Sequence, residues 1–147
     1  MREIKFRGKR IDNGEWVHGH LVEDCYIVGS VVEWTEDYFN TEFWYKVDPK
    51  TVGQYTGLQD RNGKDIYEGD MIFHYDQNCI IEYDSSAFVL KGLHKDKYKR
   101  AYAHLAHYLI DVTIPEVDGS KYDGVTTKLE VIGNRFDNPE LLGEVRE

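Results

Sequence analysis

A mainly β fold is what this 147-residue sequence predicts, and three observations carry the prediction. Short apolar runs alternate with polar residues over about four to eight positions, the period of a half-buried strand. Tyr is the dominant aromatic, with 11 copies against 6 Phe and 3 Trp, and aromatic side chains fit a pleated surface. The stretch from Val52 to Asp70 sets Gly53, Gly57, Gly63 and Gly69 between short runs carrying Tyr, Leu and Ile. Asn62-Gly63 near its middle is a hairpin signal, because a two-residue turn with both central residues at positive φ favours that pair.

The elements follow in order. Residues 3–10 read as a strand with Ile4 and Phe6 on one face and Lys5, Arg7 and Lys9 on the other. Asp12-Asn13-Gly14 reads as a turn into a second strand, Glu15 to Val22, where Gly19 marks a bulge or a close backbone approach. Tyr26-Ile27-Val28, Val31 to Trp34 and the aromatic run Phe43 to Val47 are further strands, with a polar loop over Thr35–Asn40. Beyond the glycine-rich centre, Met71–Tyr75, Cys79–Tyr83 and Ala87–Leu90 are strands separated by turns at Asp76-Gln77-Asn78 and Asp84-Ser85-Ser86.

One segment breaks the pattern. From about Leu93 to Leu109, the residues Tyr98, Ala101, Tyr102, Leu105, Tyr108 and Leu109 recur at spacings of three and four. That spacing predicts a helix with an apolar stripe. Val117–Gly124 then reads as an exposed loop and Lys128–Arg135 as the last strand. Asn138-Pro139-Glu140 starts a helical turn, with Asn before it and Pro at its first position.

The formal net charge of -9 conceals an asymmetry. Residues 1–10 and residues 91–102 each carry +4, which leaves -17 for the remainder. Such patches govern partner choice rather than fold. Two cysteines, Cys25 and Cys79, lie too far apart for a CxxC site and read as reduced. No run approaches the ~20 apolar residues that span a bilayer, and no apolar segment follows the charged start. The expected location is therefore cytoplasmic, with no membrane partner.

Three blocks resemble the YopX family of phage and prophage proteins. They are the opening Met1–Arg7, the central Val52–Asp70, and the ending Glu130-Val131-Ile132-Gly133-Asn134-Arg135-Phe136-Asp137-Asn138-Pro139-Glu140-Leu141-Leu142. Gln54-Tyr55-Thr56-Gly57-Leu58, Asp60, Asn62-Gly63-Lys64 and Tyr67-Glu68-Gly69-Asp70 carry the likeness most closely, whereas residues 23–46 and 91–127 depart from it. The resemblance implies a phage or prophage origin, an expected N-terminal β region over 1–65, and an SH3-like barrel over 66–147. The predicted helix at about 93–109 would be an insertion in that barrel. It implies no catalytic residues and no cofactor.

Candidate chemistry is sparse. His104, His107 and Asp111 would share one side of the predicted helix and form a weak metal candidate, equally explained as a solvated face. His18 and His20 alternate on one strand face. Asp65, Glu68 and Asp70 cluster, but in a turn-rich segment where carboxylates commonly accept backbone N–H groups. Ser85-Ser86 lacks a Gly-x-Ser-x-Gly elbow, and no phosphate-binding glycine loop is present.

The leading expectation is a non-enzymatic protein acting through protein contact or self-assembly, as a homo-oligomer or with a phage or host protein. The alternative is nucleic-acid binding through Lys95, Lys97, Lys99 and Arg100, interleaved with Tyr98 and Tyr102. Against that alternative, the helical stripe would bury both tyrosines, and the acidic remainder repels a polyanion.

Overall fold

The computed structural model describes residues 3–113 and 120–146. The chain divides into two compact units, residues 1–55 and 56–147.

In the first unit, β1 (Phe6–Lys9), β2 (Trp16–Val22), β3 (Tyr26–Val28) and β6 (Trp44–Lys46) form antiparallel neighbours in the order β1-β2-β3-β6. The start of β7 (Gly53–Gln59) flanks β1, with Phe6 opposite Gln54. A separate two-stranded ribbon joins β4 (Val31–Trp34) to β5 (Phe39–Thr41). Val17, Ile27 and Val47 form the core, packed by Phe6, Leu21, Phe43 and Tyr45.

Two expectations about this unit hold. Gly14 turns the first hairpin at φ 73°, its N–H donating to the Arg10 carbonyl at 2.9 Å. Gly19 is a close backbone approach: a Cβ there would lie 2.2 Å from the Val28 carbonyl oxygen. The first strand is corrected. It begins at Phe6 and leaves Ile4 exposed, while Arg7 is buried with its guanidinium 4.7 Å from the Trp16 ring. A cation spread over an indole face tolerates that burial better than a lone ammonium would.

The second unit is built on a five-stranded antiparallel sheet of β9 (Asp70–His74), β10 (Gln77–Asp84), β11 (Ala87–Gly92), β12 (Tyr102–His104) and β15 (Val131–Asn134). Its order is β12-β11-β10-β9-β15, open at both ends among the described residues, with no pairing that closes a barrel. The end of β7 pairs with β8 (Asp65–Tyr67) and, through Gln59 opposite Thr126, with β14 (Ser120–Thr127). That strand is itself paired with β13 (Leu109–Thr113). Ile66, Ile72, Cys79, Ile81, Leu90, Leu105, Tyr108 and Leu129 make the core.

The helix expected over 93–109 does not form. Lys97–Lys99 is one 3-10 turn, Tyr102–His104 is strand β12, Leu105–Tyr108 is a second 3-10 turn, and Leu109 opens β13. The Asp96 carboxylate accepts from the Tyr98 N–H at 3.0 Å and caps the start of the first turn, which stops at Arg100 in extended backbone. Ala103 then pairs with Leu90, so residues 101–105 alternate as a strand before Leu105 and Tyr108 drop into the core. Long-range pairing has overridden a local period of three and four. Residues 120–124, expected as loop, belong to β14, while 117–119 lie outside the described residues. Pro139–Arg146 is the expected helical turn, of 3-10 type.

The turns are tight but not where Asn-Gly placed them. Gly63 stands alone at positive φ, 84°, in a longer loop closed by the Asp60 N–H donating to the Lys64 carbonyl at 2.7 Å. The two-residue turns with both residues at positive φ are Tyr75-Asp76 (53° and 57°) and Ser85-Ser86 (51° and 71°). Gln77 and Asn78 therefore start β10 rather than belonging to the turn.

Candidate interaction surfaces

In the first unit the β4–β5 ribbon leaves its aromatic residues uncovered. Trp34 is 73% exposed and Trp44, on neighbouring β6, 66%; Tyr38, Phe39, Val31 and Val32 are exposed as well. Phe39 and Trp44 line a groove of about 600 Å³ with Val22, Tyr26 and Val28. Residues 29–45 carry Glu33, Glu36, Asp37 and Glu42 and no Lys or Arg. Acidic residues are thus interspersed with the exposed aromatics, and the exposed Lys46 lies at the end of β6. Exposed apolar surface on a folded protein is ordinary when scattered and informative when contiguous.

The amino-terminal basic patch is engaged within the chain. Lys5 pairs with Glu3 at 3.3 Å and lies 4.8 Å from the Tyr55 ring, and Lys9 lies 5.4 Å from Trp16. Arg10 pairs with Asp12 at 2.7 Å over the Tyr45 ring. That hydrogen bond raises the Arg10 pKa and lowers that of Asp12. His18 and His20 are both exposed on β2.

In the second unit Arg100 Nε donates to the His94 carbonyl at 2.7 Å and the Lys97 ammonium lies 5.3 Å from the Tyr98 ring. Lys95, Lys97, Lys99 and Arg100 are all exposed. With no helix to bury them, Tyr98 is 87% exposed and Tyr102 54%. The segment is held by Gln77, a buried amide that sequence reasoning had placed in a turn. Its Nε2 donates to the Lys99 carbonyl at 2.9 Å, and its Oε1 accepts from the Ala101 N–H at 3.2 Å. Gly92 makes room for that amide, since a Cβ there would lie 1.8 Å from Oε1.

Gln77 thereby places Lys99 and Tyr102 beside His104, His107 and Tyr75 around an open cavity of about 610 Å³. His104 ends β12 and His107 lies in the second 3-10 turn. Asp111 is in β13. The shared helical face behind the metal candidate does not exist, and no metal-binding group of His, Cys, Asp and Glu occurs among the described residues.

Beneath the cavity, Tyr108 is buried with its hydroxyl lacking a partner in hydrogen-bonding geometry. Burial, then the neighbouring Tyr75, push that phenol up to about 12. His74 meets the Tyr108 ring edge-on at 5.0 Å, its buried Nε2 also unpartnered, and burial lowers its pKa. Burial pushes the Cys79 thiol up to about 11.

The clustered central carboxylates serve the backbone and near neighbours. Asp70 accepts from the Tyr67 N–H at 2.8 Å, and Asp65 accepts from the Gln59 amide at 3.1 Å. Asp60 is buried and accepts from the N–H groups of Asn62, Lys64 and Val131 at 2.9, 2.9 and 3.1 Å. The terminal block is similar: Asn134 Oδ1 accepts from Phe136 and Asp137 N–H at 2.9 Å, and Asn138 Oδ1 accepts from the Asn134 N–H at 3.1 Å.

Antiparallel sheets, side-chain-braced turns and uncovered aromatic surfaces define a mainly β protein held together by its loop blocks. The YopX protein family model matches residues 5–143, and the chain belongs to that family. The crystal structure of protein EF1440 from Enterococcus faecalis is similar in fold, at 20% identity over 97% of this chain and 99% of that one, with a TM-score of 0.54. A search of curated proteins returned no match. No helix among the described residues is long and apolar enough to cross a membrane.

Proposed function

We propose that the protein acts without catalysis, in a phage or prophage setting, by contact with another protein chain. The observation that carries this reading is the uncovered aromatic surface of the β4–β5 ribbon and β6, with Trp34 and Trp44 both more than half exposed. Leaving two indoles in water is unfavourable unless a partner covers them, and Trp and Tyr dominate the energetics of protein interfaces. On this reading the five-stranded sheet is the counterpart of the family's SH3-like half.

The partner is a second copy of this chain. The ribbon's four carboxylates have no basic residue among them, whereas residues 95–100 expose Lys95, Lys97, Lys99 and Arg100 around the single Asp96. Acidic ribbon against basic run is a head-to-tail contact, which closes into a ring or extends as a filament.

Light scattering at micromolar concentration tests this. The parent is expected to exceed the monomer mass and to fall toward it as salt screens the charges. The variant W34S/F39S/W44S is expected to be monomeric with an unchanged circular dichroism spectrum. A parent that is monomeric at low salt removes the reading.

A further inference from the structure

We infer that the cavity beside β12 binds single-stranded nucleic acid, the base stacking on Tyr102 and Tyr75 and the phosphates meeting Lys99, the two histidines and Lys95 of the adjoining depression. This goes beyond the ribbon contact and rests on different aromatic residues. The chemistry of a single strand is a planar base every few ångströms on an anionic backbone. Its receptors combine aromatic faces with cations along a groove.

Both ingredients converge here. Tyr75, Tyr102, Lys99, His104 and His107 line one open cavity of about 610 Å³. A second depression of about 240 Å³ shares Gln77 with the first and adds Phe73, His94 and Lys95. Phe73 is exposed. Two adjoining depressions, each with an aromatic and a cation, suit consecutive nucleotides rather than one isolated nucleotide.

Tyr75 supplies an independent argument. It is 61% exposed and sits at φ 53° in a two-residue turn. Gly or Asn would adopt that conformation at lower cost, so a bulky aromatic there is strained without contributing to the core. Strain of this kind concentrates at binding sites.

Of the local carboxylates, the exposed Asp76 lines the second depression with no ion pair among the described residues, while the other two are engaged elsewhere. Asp96 caps the Lys97–Lys99 turn, and Asp84 is paired with Lys91 at 2.9 Å while accepting from the Tyr102 hydroxyl at 3.3 Å. The acidic ribbon of a second copy would meet the same cations as a strand, so assembly and strand binding compete.

Fluorescence anisotropy with labelled 20-mers of thymidylate and of uridylate tests the inference, the two arms separating DNA from RNA. Binding is expected to weaken about 50-fold between roughly 50 and 200 mM salt, for about four phosphate contacts. Tyr102→Ser with Tyr75→Asn is expected to weaken it about 10-fold or more, with the spectrum of the folded protein retained. An abasic strand of equal length should likewise bind at least about 10-fold more weakly. The monomeric ribbon variant W34S/F39S/W44S should bind as well as the parent or better, which separates this inference from the assembly reading. No binding of either 20-mer at 50 mM salt, or equal binding of the abasic strand, overturns it.

Discussion

The Asp60 carboxylate accepts a hydrogen bond from the Val131 N–H at 3.1 Å, tying residues 71 apart in the chain. Its other oxygen accepts from Asn62 and Lys64. One buried side chain therefore shapes the glycine-bearing loop and anchors the start of β15. Asp60→Ala is expected to cost about 2–4 kcal/mol, because three part-buried N–H donors lose a charged acceptor. Asp60→Asn should cost nearly as much, since its amide turns an N–H toward an N–H on one side. Urea titration checks both; a loss below about 1 kcal/mol for the alanine variant contradicts the assigned role.

Gln77 has the same kind of role for the basic segment. Replacing it by Leu removes the acceptor of the Ala101 N–H and the donor to the Lys99 carbonyl. Each backbone group left unsatisfied in a buried position costs about 1–3 kcal/mol. Hydrogen exchange is the informative measurement. The Ala101 amide should exchange at least about tenfold faster in Gln77→Leu, while the Ile81 amide on the core side of β10 changes only with global stability. Unchanged exchange at Ala101 would show that the segment is held by something else.

What the sequence made legible was local. Asp12-Asn13-Gly14 and Asn138-Pro139 act within a few residues of themselves, and their turns were readable; Gly19 was readable as a close approach by residue type, though the Val28 carbonyl it admits is on the paired strand. The segment 93–109 was not, because its strand exists only through the pairing of Ala103 with Leu90. Nothing about Tyr75 signals a left-handed conformation; the register of His74 opposite Gln77 imposes it. Lys99, His104 and His107 were identifiable by residue type. Their convergence depends on Gln77 and on the edge position of β12, both products of the tertiary fold.

Tyr75 provides a test that separates stability from binding. Tyr75→Gly relieves the positive φ and removes an exposed ring, so the folded state should gain about 0.5–1 kcal/mol in denaturant titration. The same variant should bind single strands more weakly. A variant that is both less stable and fully competent in binding would deny that the conformation is strained for a purpose.

The two cysteines should differ in reactivity. Both are free and both thiols are pushed up, Cys25 by partial burial and then Asp24, but Cys79 is fully buried and pushed up to about 11, whereas Cys25 is only half-buried. The thiolate is the reacting species. Iodoacetamide at pH 8 should therefore give one adduct, on Cys25, in the native protein. Cys79 should react only after denaturation. Peptide mass mapping decides the matter, and rapid native modification of Cys79 would mean that the sheet opens locally at β10.

His74 makes stability depend on pH in a definite direction. Burial first, then the Lys128 ammonium, lower its folded pKa below the ordinary value near 6.5. Its ring also faces Tyr75 and Tyr108, the phenol of Tyr108 being pushed up to about 12. Above about pH 7 the imidazole is neutral in folded and unfolded chains and contributes no slope. As pH falls through the ordinary value the unfolded chain binds a proton that the folded chain does not, so stability declines until the folded pKa is passed. His74→Phe keeps a ring against Tyr108 and removes the titration. Urea midpoints at pH 7, 6 and 5 should fall for the parent and stay flatter for the variant. If both decline in parallel across that range, another group carries the pH dependence and the burial of the imidazole has no thermodynamic consequence.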